Sequence, residues 1–592
     1  MKTLILAAMR CLMFLVPTVT YAISTQWDLN PISGDWNTAA NWTPMGVPNG
    51  PADTATFGLS KFTDVSLSAN TEVNGITFTS AATNPYTITA SPGFTLTLSG
   101  TGITNNSGTT QNFVTAVRGS PFGVGQIVFT NGATAGNDTI FTNRGSPAFE
   151  GAGGFTQFFN NSTAGHGTFI NNGGSAVGAI GGVTFFANST AAHGVFINSG
   201  GTVGGAQGGN TNINAGSTGA NGSFTNMGAS VNGAEGGLTN LTGATAANGT
   251  FINNGGLVNG AGGGTTLLDE TSTAAHGVFI NNGGLVNGAG GGTTFFEATS
   301  TAGSATLIAN GGTAGGEGGQ IVFLVGSTGG TSRVELFGNG SLNISDDPDV
   351  TIGSIEGAGN VFLGANNLSV GSNNLSTTFS GVIEDSGSLT KIGSGTLILS
   401  GANTYTGNTN VNGGVLQVDG SIASNTMVNV ATLAGTGTIN GNVTNMYGTV
   451  SPGGAGAPGI LTVVHNYTQA QFATLMIQLA GASAGQFSVL NVLGTANLNG
   501  GHLDPILVGG FVPTIGETFR FLDAGAVNGT LFIFNRNIDN VPEHWDVSYF
   551  PTYALLTVAS GNVPIPDQGS TFLLLTLSLL GLVTFRWQLP AA

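Results

Sequence analysis

Large apolar residues recur along this chain at a near-constant spacing, set in runs of small and polar ones. The block HGTFINNGG at 166–174 returns as HGVFINSGG at 193–201, NGTFINNGG at 248–256 and HGVFINNGG at 276–284. Its phenylalanine falls at Phe113, Phe141, Phe169, Phe196, Phe224, Phe251 and Phe279, with Leu307 next, so every step is 27 or 28 residues. A second apolar pair follows about 16 residues later, as at Val128-Phe129, Phe158-Phe159, Phe185-Phe186, Leu267-Leu268, Phe295-Phe296 and Val322-Phe323. Two short strands per period are predicted. The stretches between them, such as NGAGGGTT at 259–266, cannot hold an amphipathic helix and are rich in turn residues.

A unit of this size cannot bury a core alone, so the repeats must stack. In an all-β, right-handed parallel β-helix each Phe lies on the Phe of the next coil, and burying one such side chain contributes roughly 1.5 to 3 kcal/mol. Composition supports this fold. There are 101 glycines in 592 residues, yet they follow no triplet period, which excludes collagen. Disorder calls for few large apolar side chains and dense charge, whereas this chain is 40% hydrophobic and 6% charged.

The net charge of -17 reflects scarce bases. Between residues 23 and 566 the Lys and Arg are Lys61, Arg118, Arg144, Arg333, Lys391, Arg520 and Arg536. Bases so scattered form no phosphate-neutralising patch, which argues against nucleic-acid binding.

The ends of the chain carry an address. Residues 1–22 join Lys2 and Arg10 to an apolar stretch through Cys11–Val16 and to small residues before Ala22, a pattern that predicts an export signal cut by signal peptidase between Ala22 and Ile23. Initiation at Met9 would give a cleaner version of it. The single cysteine, Cys11, leaves with this signal, so the mature chain has no disulfide or thiolate metal site. At the other end Pro566-Asp567-Gln568-Gly569-Ser570-Thr571 precedes the apolar run Phe572–Phe585, and Arg586 follows. Fourteen helical residues reach only about 21 Å, short of the roughly 30 Å hydrocarbon core.

This order of polar motif, apolar helix and terminal base resembles the PEP-CTERM sorting signals, most closely the variant reading Val-Pro-Asp-x-Gly-Ser-Thr. Ile565 stands here in place of the Val, and Arg586 is a lone base where the family has a cluster. The resemblance implies a C-terminal transmembrane sorting helix, transient anchoring in the inner membrane of a Gram-negative bacterium, and an exosortase-type enzyme as partner.

In the middle, 388–418 reads SLTKIGSGTLILSGANTYTGNTNVNGGVLQV and resembles the passenger-associated repeat of autotransporters, which implies a β-helix. Alternation predicts that Leu397 and Leu399 face one way, that 403–408 turns, and that Val411, Leu416 and Val418 resume the core face. No autotransporter export barrel is expected after Val558. The expected organisation is a signal at 1–22, a β cap region at 23–105, the repeat array at 106–344, a passenger-type β-helix at 345–465, a β region at 466–560, and a linker with sorting tail at 561–592.

Candidate chemistry is sparse. Trp27, Trp36 and Trp42 suit a cap over the open solenoid end, the alternative being a sugar-stacking platform. Asp346, Asp347 and Asp349 form the densest carboxylate group and Glu384-Asp385 the next, both in turn-like settings, with calcium at the first left open. Asp269-Glu270 and Glu297 share one repeat position and are expected in turns. His166, His193 and His276 share another, where neighbouring coils could bring two imidazoles to one metal, but Asn221 and Asn248 fill the slot elsewhere. His465, His502 and His544 stand apart. No catalytic, cofactor or metal residues are assigned. A secreted structural or adhesive surface protein is expected, with non-catalytic polysaccharide binding as the alternative and a β-helix lyase or hydrolase behind it.

Overall fold

The computed structural model describes residues 22–118, 123–538 and 542–561 of the chain. It divides into two compact units, Met1–Thr328 with Gly338–Ser341, and Gly329–Phe337 with Leu342–Ala592. Both are parallel β-solenoids. The export signal before Ala22, and the sorting tail with Pro566, Asp567, Gly569, Ser570, Thr571, Arg586 and its expected helix, lie outside the described residues.

In the first unit every coil gives one strand to each of two parallel ladders. Thr168–Asn171 pairs with Val195–Asn198, placing Phe169 on Phe196, and Phe155–Phe159 pairs with Val183–Ala187, placing Phe158 on Phe186. The register holds without slippage, so the phenylalanines from Phe113 to Phe279 form one buried column that Leu307 continues. Successive rings are stacked 4.6–4.9 Å apart with planes within 16° of parallel. In the facing column one member of each apolar pair forms the core line, and in the last pair Val322 is buried as well. Phe129, Phe158, Phe186, Ile213, Leu241, Leu268, Phe296 and Phe323 are buried, and Phe158 meets Phe169 edge-on at 5.5 Å. Such geometry adds about 0.5–1.5 kcal/mol per pair beyond the area buried.

Two features were not expected. A third line of contact runs along each coil, where single parallel bridges link Thr134, Thr163, Thr190, Thr218, Thr245, Thr273, Thr301 and Thr328. One residue per coil is too short to show as a strand pattern. The second feature is polar. Asn143, Asn171, Asn198, Asn226, Asn253 and Asn281 point inward beside the phenylalanines and are fully buried. Each of the first five amides donates to the next, with Nδ2 to Oδ1 distances of 2.7–2.8 Å. Every Oδ1 also accepts a threonine hydroxyl, from Thr156, Thr184, Thr211, Thr239, Thr266 and Thr294 at 2.8–3.0 Å. In the first five the buried amide is tolerable because both of its ends are satisfied.

The turns are set by how closely coils approach. A Cβ added to Gly181, Gly208, Gly236 or Gly263 would overlap the carbonyl oxygen of the equivalent glycine one coil on. Only glycine allows the coil spacing there.

The N-terminal region begins the same ladders. Ser24–Trp27 pairs in parallel with Gly50–Phe57, which pairs with Thr71–Phe78, so the region is built of coils rather than being a separate lid. Trp27, Trp36 and Trp42 close its end. All three are at most 2% exposed, Trp42 meets the other two edge-on at 5.0–5.1 Å, and their indole N–H groups donate to the carbonyls of Phe62, Pro48 and Trp36 respectively. A sugar-stacking platform needs open ring faces, and these buried tryptophans offer none.

In the second unit the coils are shorter and uneven: the register partners Leu389, Thr409, Thr426, Val443 and Tyr467 step by 20, 17, 17 and 24 residues. Leu397, Leu399, Val411, Leu416 and Val418 are buried as their alternation predicts. The turn expected at 403–408 is more than a turn. Asn403 and Tyr405 are buried, and the Tyr405 hydroxyl lies 2.6 Å from Thr409 Oγ1, which lies 2.6 Å from Ser424 Oγ. Antiparallel strands Thr518–Ile533, His544–Tyr549 and Tyr553–Ala559 end the unit, with Phe519, Trp545, Leu556 and Val558 buried among them.

Candidate functional surfaces

The histidine column forms as the repeat predicts, but its geometry does not suit a metal. His166 and His193 stack face to face at 4.8 Å with planes 4° apart. Imidazole lone pairs lie in the ring plane, so parallel stacked rings cannot both aim at an ion between them. His276 instead shares a 2.6 Å hydrogen bond with Ser304, and Asn248 donates to Asn221 in the same column. His544 contacts the Gly561 carbonyl and His502 lies edge-on to Phe534. Among the described residues no three His, Cys, Asp or Glu gather as a metal cluster.

The aspartates diverge. They span the turn between Ser341–Asp346 and Asp349–Ile352, with Asp347 3% exposed and Asp346 and Asp349 on the surface. Six to eight convergent oxygens for calcium are not assembled by side chains that alternate between inside and outside. Asp385 adopts a left-handed turn conformation, φ 82°, and its carboxylate accepts the Gly364 N–H at 2.9 Å. Asp269 likewise accepts the Glu270 N–H at 2.7 Å, and Glu270 has φ 54°. One coil on, partial burial pushes Glu297 above the usual carboxylate range, and Asp269 adds to that.

One charged cluster in the second unit was not visible in the sequence pattern. Arg333 lies 3.2 Å from Glu335 and pairs more closely with Glu356, whose Cα is the register partner of Glu335. The three stand in an open cleft of about 490 Å³ with Phe337, Thr377 and Ile398. The Glu356 hydrogen bond raises the guanidinium pKa further, so Arg333 stays charged and balances the two carboxylates. The Arg-x-Glu alternation was visible, but uneven coil lengths hid the alignment with Glu356.

Lys391 is the other surprise. Leu389 faces the core, so strand alternation carries Lys391 inward too, and it is 1% exposed. Among the described residues its ammonium has no carboxylate partner, and it donates to the carbonyls of Ile392, Gly413 and Gly393 at 2.6, 3.1 and 3.3 Å. Desolvation pushes its pKa down from 10.5 to about 8. Below about pH 8 the folded and unfolded chains both hold the proton, while between there and 10.5 only the unfolded chain does. Protonation therefore costs the folded state, and stability should rise with pH across that window, by at most on the order of 3 kcal/mol. Urea unfolding of the wild type relative to Lys391→Met between pH 7 and 9.5 isolates this group, and a pH-independent difference would refute the assignment.

Comparison with known proteins places two segments in families. Residues 389–418 match the passenger-associated-transport-repeat family, and residues 564–588 match the VPDSG-CTERM motif. An extracellular serine protease of Serratia marcescens is 46% identical over 90 residues, which is 15% of this chain and 8% of the protease. The adhesin BmaC autotransporter of Brucella suis is 47% identical over 89 residues, 14% of this chain and 3% of the adhesin. The chain therefore spans a small part of the length of these relatives. The crystal structure of the Haemophilus influenzae Hap adhesin aligns with 87% of this chain and 65% of its own at 12% identity, with a TM-score of 0.27. The protein is an exported surface β-solenoid that carries a passenger-associated transport repeat and a VPDSG-CTERM sorting motif.

Proposed function

We propose that the mature chain is a non-catalytic structural or adhesive element of the cell surface, cut after Ala22 by signal peptidase and handed to an exosortase-type membrane enzyme through Pro566–Arg586. The observation that carries this reading is the sorting motif at 564–588, following a solenoid that contains a passenger repeat. The adhesin among the relatives favours adhesion; the proteases match over too little of their length to transfer an activity. Against catalysis stand the divergence of Asp346, Asp347 and Asp349 and the neutralisation of Glu335 and Glu356 by Arg333.

Deleting 566–592 tests the address. The last described strand ends at Ala559, so the truncated protein should appear in the periplasm or medium with its unfolding midpoint unchanged. Retention at the surface in full amount, or loss of folding, would show that the tail is part of the working molecule and not a signal.

A further inference from the structure

We propose that an uncharged trough on the second unit binds a linear, neutral polysaccharide, an inference that rests on the surface role above and gives it a ligand class. The floor comes from five register partners on consecutive coils, Asn410, Met427, Thr444, Thr468 and Asn497, whose side chains face outward. Asn408, Asn425, Asn442 and Asn466, one per coil, form a wall. They enclose an open cleft of about 390 Å³. At about 4.8 Å per coil, the five rungs extend roughly 19 Å along the solenoid axis.

Three of the four wall residues are fixed before any ligand arrives. Asn425 Oδ1 accepts the Asn442 backbone N–H at 2.9 Å, Asn442 Oδ1 accepts that of Asn466 at 3.1 Å, and Asn466 Oδ1 accepts that of Thr495 at 2.9 Å. The carbonyl ends of Asn425, Asn442 and Asn466 are committed to the next coil, and Asn442 Nδ2 also donates to Asn425 Oδ1 at 3.1 Å, so the amide N–H groups left over are the donors for a ligand and little side-chain entropy is lost on binding. The floor supplies a second kind of contact. Threonine hydroxyls donate and accept, as sugar hydroxyls do, while Met427, 42% exposed, offers a polarizable apolar surface to the C–H face of a pyranose.

Charge selects among polymers. Among the described residues no acidic or basic side chain lines the trough, and the whole chain carries -17, so uronates and sulfated chains meet net repulsion with no cation there to pair with. The ladder spacing is close to the rise per residue of an extended β-linked hexose chain. Successive sugars can thus meet equivalent rungs, and many weak contacts sum along one polymer.

Affinity electrophoresis in gels containing a soluble linear β-glucan, a galactomannan or polygalacturonate tests this on the mature chain. At least one neutral polymer should retard the wild type and polygalacturonate should not. Thr444→Glu, in the middle of the floor, should weaken retardation at least tenfold, and Thr444→Val should weaken it less. Thr225→Glu, which adds the same charge to an outward position of the array, should leave it unchanged. Unfolding curves establish that the variants are folded. No retardation by either neutral polymer, equal retardation by polygalacturonate, or an undiminished Thr444→Glu overturns the proposal. A chain that is displayed and promotes cell attachment yet fails in the gel removes the trough and leaves the surface role; a chain that binds glycan but is not displayed does the reverse.

Discussion

Phe251→Asp should unfold the centre of the repeat array. Phe251 is fully buried and stacked at 4.6 Å between Phe224 and Phe279. Removing a buried aromatic ring costs about 3–5 kcal/mol, and an unpaired carboxylate left in its place adds several more unless it takes up a proton. In a solenoid, loss of one coil removes neighbouring interfaces on both sides, so the damage should spread along the stack. The array supplies its own control. Leu307 already occupies this column above Phe279, so Phe251→Leu should lose no more than about 1.5 kcal/mol. Urea unfolding read by protease susceptibility within the array separates the two variants. An unchanged midpoint for Phe251→Asp would show that the Phe column is not the core.

The column was legible because the array is nearly a copy of itself. When each coil has the same length, an apolar residue at a fixed step must stack on its equivalent, and the spacing of Phe113 to Phe279 becomes the register directly. The second column was harder to see, since Ile213 and Leu241 sit beside Asn212 and Asn240 where other coils have apolar pairs. In the passenger region the signal weakens. Coils of 17 to 24 residues shift each equivalent position, so Glu335 and Glu356 could not be aligned from sequence. Lys391 and the inward asparagines were missed for another reason. They are polar, so a pattern of apolar positions passes over them, whereas strand parity places Lys391 with Leu389 and Asn171 with Phe169. Where composition and parity disagree on a short strand, parity decides, provided that the coil can satisfy the polar group it takes in.

The asparagine ladder makes that condition measurable. Asn226 donates to Asn253 Oδ1 at 2.7 Å, to the Thr265 carbonyl at 2.7 Å and to Thr266 Oγ1 at 3.1 Å, and accepts from Asn198 at 2.8 Å and Thr239 at 2.9 Å. Asn226→Leu keeps the branching of the side chain, with bulkier methyl groups in place of the oxygen and NH2, and adds apolar burial worth roughly 1.5–3 kcal/mol at best. Against that stand several lost hydrogen bonds at about 1 kcal/mol each, with each buried partner left unsatisfied costing a further 1–3 kcal/mol. The polar loss is the larger, and a net destabilisation of about 3 kcal/mol or more is expected. The ladder's far end offers the comparison. Among the described residues Asn281 Nδ2 has no hydrogen-bond partner, because Ala309 stands where the next asparagine would be. Asn281→Leu therefore forfeits fewer bonds and should cost at least about 1 kcal/mol less than Asn226→Leu. Urea unfolding of both variants, with amide exchange to locate the opened coils, gives the difference. An Asn226→Leu protein as stable as the wild type, or no less stable than Asn281→Leu, would mean that the apolar columns alone hold these coils. The expected order instead makes the ladder a register device, since a one-residue slip of any strand would turn its amide outward and cost each neighbouring amide one of its partners.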